Sequence, residues 1–117
     1  MEDLTSPHNE LELGLERRKN DLVAQIESDR RLLASRSLFD LRSLYIAELE
    51  RNELPYTELD TKEKFIDMIV FLTRRRLETL WIAATAVRVT SEDQLGSWMA
   101  KLDEIESDWQ DKLLGNG

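Results

Sequence analysis

The sequence predicts an all-α fold of three to four helices, either a helical bundle or a helical hairpin with coiled-coil-like packing. Apolar residues recur every three to four positions over most of the 117 residues, which is the period of one helix face. Only two prolines and four glycines are present, so long segments lack residues that break helices. We expect one helical domain at residues 10–114, with a flexible lead-in at 1–9 and a flexible tail at 115–117.

The first helix is predicted at about residues 10–34. Its apolar stripe recurs every eleven residues, close to 3.67 residues per turn, and therefore stays on one face of a nearly straight helix. The stripe fits two roles equally well: an arm of a hairpin or coiled coil, or a helix packed into the domain's own core. Its members are Leu11, Leu15, Leu22, Ile26 and Leu33.

The second helix is predicted at about residues 38–52. Ser37 is a favourable N-cap, and Asp40 follows it in a capping-box-like position. Pro55 disfavours helical geometry in the residue before it. We therefore expect the clearest break in the chain at residues 53–59.

The third helix is predicted at about residues 61–88, starting at Asp60 with Glu63 in the capping position. Residues 65–72 are apolar on nearly all sides, which is typical of a buried helix. This helix should therefore form the centre of the fold. Its length of roughly 40 Å exceeds what a compact domain of this size requires, so we expect a kink or an extension beyond the core.

The fourth helix is predicted at about residues 92–114, with a start signal at Thr90 and Asp93 and a stop at Gly115. Its apolar residues are spaced three, four, three and four apart, which is the a/d seam of a helix that lies along another helix. Two tryptophans on one seam require a matching surface, in this chain or in another. The candidate partner-binding residues are Leu95, Trp98, Leu102, Ile105, Trp109 and Leu113.

Three consecutive arginines, Arg74, Arg75 and Arg76, are the second candidate for partner binding. Consecutive helical residues fan over about 200°, so Arg76 should approach the apolar stripe and pair with a carboxylate or stack on an aromatic ring. Residues 91–117 carry seven acidic and two basic side chains, and we expect this acidic helix near the arginines. An acidic partner or a phosphate backbone is the alternative contact.

The residues available for catalysis or metal binding are few. There is no cysteine, and the single histidine, His8, lies in the predicted lead-in. Thiolate chemistry is therefore excluded, and a catalytic triad lacks a well-held base. The acidic residues of the last helix lie outside its apolar seam. We expect no enzymatic activity, no cofactor and no metal site.

The segment from Leu41 to Ile69 resembles the SAP-type DNA-binding hairpin, which has a Gly-Leu-Pro turn, then Gly-x-Lys and a Leu-Ile pair. Leu54-Pro55, Lys62 and Phe65-Ile66 carry the resemblance over about a quarter of the chain. Glu53 replaces the first glycine, the second glycine is absent, and the turn is two residues longer. The chain is not assigned to that family, and the resemblance implies only a nucleic-acid contact at 41–69.

The leading functional hypothesis is a non-catalytic protein–protein interaction module: a helical subunit, adaptor or regulator that binds another helical protein or itself. One alternative is a nucleic-acid-associated protein that uses residues 41–69 and the three arginines, although a net charge of −8 makes nucleic acid an unfavoured partner. Another is an acidic inhibitor that mimics nucleic acid. Because charged residues interrupt every apolar run, we expect a soluble, intracellular protein without a membrane partner.

Overall fold

Residues 7–114 form an all-α bundle of four helices. The computed structural model describes residues 7–114, and the side chains from Glu10 onward. Helix α1 spans Pro7–Asp29 and continues into a 3₁₀ segment, Arg30–Ser35; α2 spans Leu38–Arg51, α3 spans Lys62–Val87 and α4 spans Glu92–Leu114. The described residues form an elongated body of 53 × 26 × 24 Å.

The helix starts follow the expected chemistry, with two corrections. Ser37 caps α2, because its side chain accepts a hydrogen bond from the backbone N–H of Asp40. The cap of α3 is Thr61 and not Asp60, since the Thr61 hydroxyl accepts from the backbone N–H of Lys64. At α4 the Ser91 hydroxyl, rather than that of Thr90, accepts from a first-turn backbone N–H, that of Gln94.

Helix α3 is the centre of the bundle, as its apolar sequence predicts. It packs against α1, α2, α4 and the 3₁₀ segment. Helix α1 runs antiparallel to α3, because Lys19 pairs with Glu78 and Glu27 with Arg74. Helix α4 runs parallel to α1, since Arg18 pairs with Asp103 and Asp29 accepts from Trp109. The buried side chains of α3 are Phe65, Ile66, Ile69, Val70, Leu72, Thr73, Leu77 and Ala84.

Helix α2 runs parallel to the first half of α3 and stops beside its middle. The rings of Tyr45 and Phe65 meet at 5.4 Å, and the Asn52 side chain donates to the Leu72 carbonyl oxygen at 3.3 Å. Helix α2 has 14 residues and α3 has 26. The second half of α3 therefore extends past α2 as one continuous helix, packed against α1 and α4.

The C-terminus of α2 is closed by a hydrogen-bonded cap with a left-handed residue. The N–H of Leu54 donates to the Leu49 carbonyl, the N–H of Glu53 donates to the Glu50 carbonyl, and Glu53 has a φ of 57°. This is the Schellman arrangement, in which glycine is favoured at the left-handed position. Glu53 therefore holds a strained backbone conformation.

We expect Glu53→Gly to raise the free energy of unfolding by about 0.5–1 kcal/mol, because relief of left-handed strain exceeds the added freedom of the unfolded chain. Urea denaturation measures the change. Glu50→Gly is the matched control: Glu50 is exposed within the last turn of α2, where glycine costs about 1 kcal/mol. Equal losses in both variants would contradict the left-handed conformation of Glu53.

Within residues 7–114, none of the helices is both long and apolar enough to cross a lipid bilayer.

Candidate partner-binding groove

The apolar seam of α4 divides into a core half and a partly exposed half. Leu102, Ile105 and Trp109 are buried, with Trp109 fully so. Leu95, Trp98 and Leu113 are only partly buried and pack at the edge of the core. Much of the apolar seam that was predicted to bind a partner therefore packs against α1 and α3 of the same chain.

Trp109 also connects α4 to α1 through its polar edge. Its indole N–H donates to the Asp29 carboxylate at 3.3 Å. Buried tryptophans generally satisfy this N–H, so the contact fixes the ring orientation as well as the register of the two helices.

The three arginines turn toward three different neighbours. Arg74 pairs with Glu27 of α1. Arg75 donates to the side-chain oxygen of Asn52 at 3.1 Å, at the end of α2. Arg76 lies between α2 and α4 and is mostly buried. The expected contact between the arginines and the acidic last helix is made by Arg76 alone.

Arg76 belongs to a charge cluster that joins α2, α3 and α4. The cluster consists of two carboxylates and three cations: Glu48, Asp108, Arg51, Arg76 and Lys112. Arg76 donates to both Glu48 oxygens, at 3.1 and 2.9 Å, and to Asp108 at 2.8 Å. The ammonium of Lys112 lies 2.6 Å from Glu48 and 3.1 Å from Asp108.

Glu48 and Lys112 are almost completely removed from water, with side chains 0% and 3% exposed. Burial raises the pKa of Asp108, but Lys112, with Arg76 and Arg51, more than offsets this and lowers that pKa below its ordinary value. The Asp108 carboxylate is therefore charged at neutral pH and accepts charge-assisted hydrogen bonds. The cluster joins α2 and α3 to the C-terminal half of α4, at Asp108 and Lys112.

An open groove of about 660 Å³ lies between α3 and α4, directly beyond the C-terminus of α2. Leu80 and Ala83 of α3 face Trp98 and Ile105 of α4 across it, and α2 closes one end. The Lys101 ammonium lies 5.8 Å from the centre of the Trp98 ring, within cation–π distance. The other lining residues are Arg51, Asn52, Glu53, Arg75, Arg76, Thr79 and Glu104.

The groove brings together two of the sequence-predicted sites and several residues that the sequence did not single out. Trp98 and Ile105 come from the seam, and Arg75 and Arg76 from the arginines. Arg74, on the α1 side, does not line it. Thr79, Ala83 and Lys101 carry no distinguishing sequence signal, because their placement follows from where α2 ends.

The lining of the groove is mixed in chemistry. Its lining combines apolar surface with arginine, lysine and glutamate side chains, and residues 7–114 contain no group of three or more side chains placed to hold a metal ion. Of the predicted lead-in at residues 1–9, residues 7–9 belong instead to α1. Residues 1–6 and the predicted tail at 115–117 lie outside the described residues, as does the His8 side chain.

Fold and groove together define a class: a four-helix bundle with an open apolar groove beside a buried charge cluster. Comparison with protein-family models, with curated proteins and with solved structures finds no match for this chain.

Proposed function

We propose that the protein is a non-catalytic interaction module that binds another protein through the α3/α4 groove. The observation that carries this proposal is the partial exposure of Trp98 in a groove lined by Leu80, Ala83 and Ile105. Tryptophan is enriched among the residues that dominate binding energy, particularly where it lies in a pocket. The fully buried residues of the seam, such as Trp109, take no direct part.

Three features of the surroundings support a binding role. The groove is formed by two long helices whose spacing is held by the charge cluster, so little ordering is required on association. Its apolar floor is edged by charged side chains, the usual anatomy of an interface. Glu53 keeps a strained conformation at the closed end, and such strain is often retained at functional positions.

Photo-crosslinking in the cells from which the chain derives tests this proposal. A photoreactive amino acid replaces Thr79, an exposed residue that lines the groove. We expect a discrete crosslinked protein that disappears when Ala83→Arg fills the groove. Ala24→Arg, on the exposed face of α1, is the matched control and should leave the crosslink unchanged.

Two outcomes would contradict the proposal. One is the absence of any crosslinked protein from position 79 at native expression levels. The other is a crosslink that Ala83→Arg leaves unchanged. A crosslink to DNA or RNA would instead favour the nucleic-acid alternative.

A further inference from the structure

The groove continues the path that α2 follows along α3. Helix α2 ends at Arg51 beside the middle of α3, and its last residues form the closed end of the groove. Beyond that point α3 runs on to Val87, and α4 covers only one side of it. The bundle thus has four helices at one end and three at the other, with the fourth helical position empty.

The dimensions of this empty position fit about two to two and a half turns of a helix. The α3 wall runs from Arg75 to Ala83 and the α4 wall from Trp98 to Ile105. At 1.5 Å per residue each wall is roughly 11–14 Å long. The apolar residues of both walls would meet one face of a helix packed at the usual distance of 8–10 Å. An isolated helix this short is marginal in water, so it would fold or be held within a larger partner.

The charged residues at the edges of the groove indicate which charges the bound helix carries beside its apolar face. Among residues 7–114, neither Arg75 nor Lys101 lies within ion-pair distance of a carboxylate: Arg75 contacts the neutral Asn52, and Lys101 lies over Trp98. They stand on opposite walls, one on α3 and one on α4. Glu53 and Glu104 also line the groove, and among the described residues neither of them forms an ion pair. An occupant with carboxylates opposite Arg75 and Lys101, and with basic residues opposite Glu53 and Glu104, would complement the edges of the groove.

A second copy of this chain is a poor occupant. Its docking would require a free apolar stripe with large side chains on successive turns, three or four residues apart. No two strongly exposed large apolar residues in the described helices have that spacing; Phe71 and Ile82, for example, are three turns apart. Each copy also carries a net charge of −8, which opposes self-association.

We infer that the α3/α4 groove binds an amphipathic helix of another protein, with about two to two and a half turns in the groove and with charged residues of both signs flanking an apolar stripe, in the position that α2 leaves empty. This inference deepens the proposed function and rests on it. It specifies the conformation and the chemistry of the bound segment, neither of which follows from protein binding alone.

Selection from a displayed library of random 15-residue peptides tests the inference on the full-length protein. We expect enriched peptides to have large apolar residues three to four apart and flanking charged residues of both signs, including Asp or Glu opposite Lys101, and to gain helicity on binding by circular dichroism. Ala83→Arg should weaken their binding at least tenfold, and Lys101→Glu about five- to tenfold. Ala24→Arg should leave it within twofold.

Three results would overturn the inference: no enrichment above the unselected library, enriched peptides that bind in an extended conformation, or binding that Ala83→Arg leaves unchanged. The two proposals fail separately. A groove crosslink to a cellular protein together with extended selected peptides would keep the proposed function and reject the helical occupant. Helical peptides that bind in the groove, without a crosslink to a cellular protein, would keep the helical occupant and reject the proposed function.

Discussion

Trp109→Ala is expected to lower the free energy of unfolding by about 3–5 kcal/mol, in the range typical of large-to-small changes at buried aromatic positions. The side chain is fully buried and its indole N–H donates to Asp29 of α1. The substitution therefore leaves a cavity between α1, α3 and α4 and removes the partner of a carboxylate. Equilibrium urea denaturation, followed by circular dichroism, measures the loss.

Trp109→Phe keeps the variant measurable if the alanine substitution unfolds the protein. Phenylalanine retains part of the packing and loses the N–H, so we expect a smaller loss, about 1–2 kcal/mol. Trp98→Ala, on the same helix, removes only a partly buried ring and should cost less than Trp109→Ala. Equal losses for the two alanine variants would contradict the division of the seam.

Glu48→Gln is expected to lower the free energy of unfolding by about 3 kcal/mol, because it breaks a buried ion-pair cluster from one side. The Glu48 side chain is fully buried and receives hydrogen bonds or ion pairs from Arg76, Lys112 and Arg51. Glutamine preserves the shape and removes the charge, so three cations are left with Asp108 alone. The same denaturation experiment measures the effect.

The control for this substitution is Glu50→Gln, two residues away on the exposed face of α2, where a change within about 0.5 kcal/mol is normal. The double substitution Glu48→Leu with Lys112→Met removes one charge of each sign. It should recover much of the lost stability, since apolar replacement of a buried ion pair is often close to neutral. A loss of under about 0.5 kcal/mol in Glu48→Gln would show that the cluster is solvated.

Local chemistry predicted the helices well. The Ser37 cap, the break after Arg51 and the long apolar third helix depend on neighbouring residues, so the sequence contains the necessary information. Asp60 and Thr61 are both good caps, and which of them closes the first turn depends on where the preceding loop reaches α3. The position of the helix start therefore differs by one residue from the prediction.

The charge cluster had a sequence signal that is clear only in retrospect. Glu48 lies on the same face of α2 as Leu41 and Tyr45, and Lys112 continues the α4 face of Ile105 and Trp109. A charge on an apolar stripe must find a partner when it is buried. The pairing of these two residues, 64 positions apart in the chain, depends on tertiary packing that helix periodicity does not specify.

The groove could be predicted only in part. The unequal lengths of the second and third helices follow from capping signals and the proline. Helix α2 leaves the second half of α3 uncovered because the two helices are parallel. This alignment is set by the contact between the Tyr45 and Phe65 rings and by the Arg76–Glu48 pair. The seam residues were recognised as apolar, but periodicity does not distinguish Trp109 in the core from Trp98 at the groove.

The central claim is that a partner protein binds at the α3/α4 groove. It is tested most directly by measuring the affinity of a groove-crosslinked partner for two variants of this protein, Trp98→Ala and Trp81→Ala. Trp81 is also a partly buried tryptophan, but it lies against Lys19 of α1 and does not line the groove. The account predicts that Trp98→Ala weakens binding at least about tenfold, that Trp81→Ala changes it less than about twofold, and that both variants keep their helicity. Equal effects of the two substitutions, or unchanged affinity in Trp98→Ala, would contradict binding at the groove.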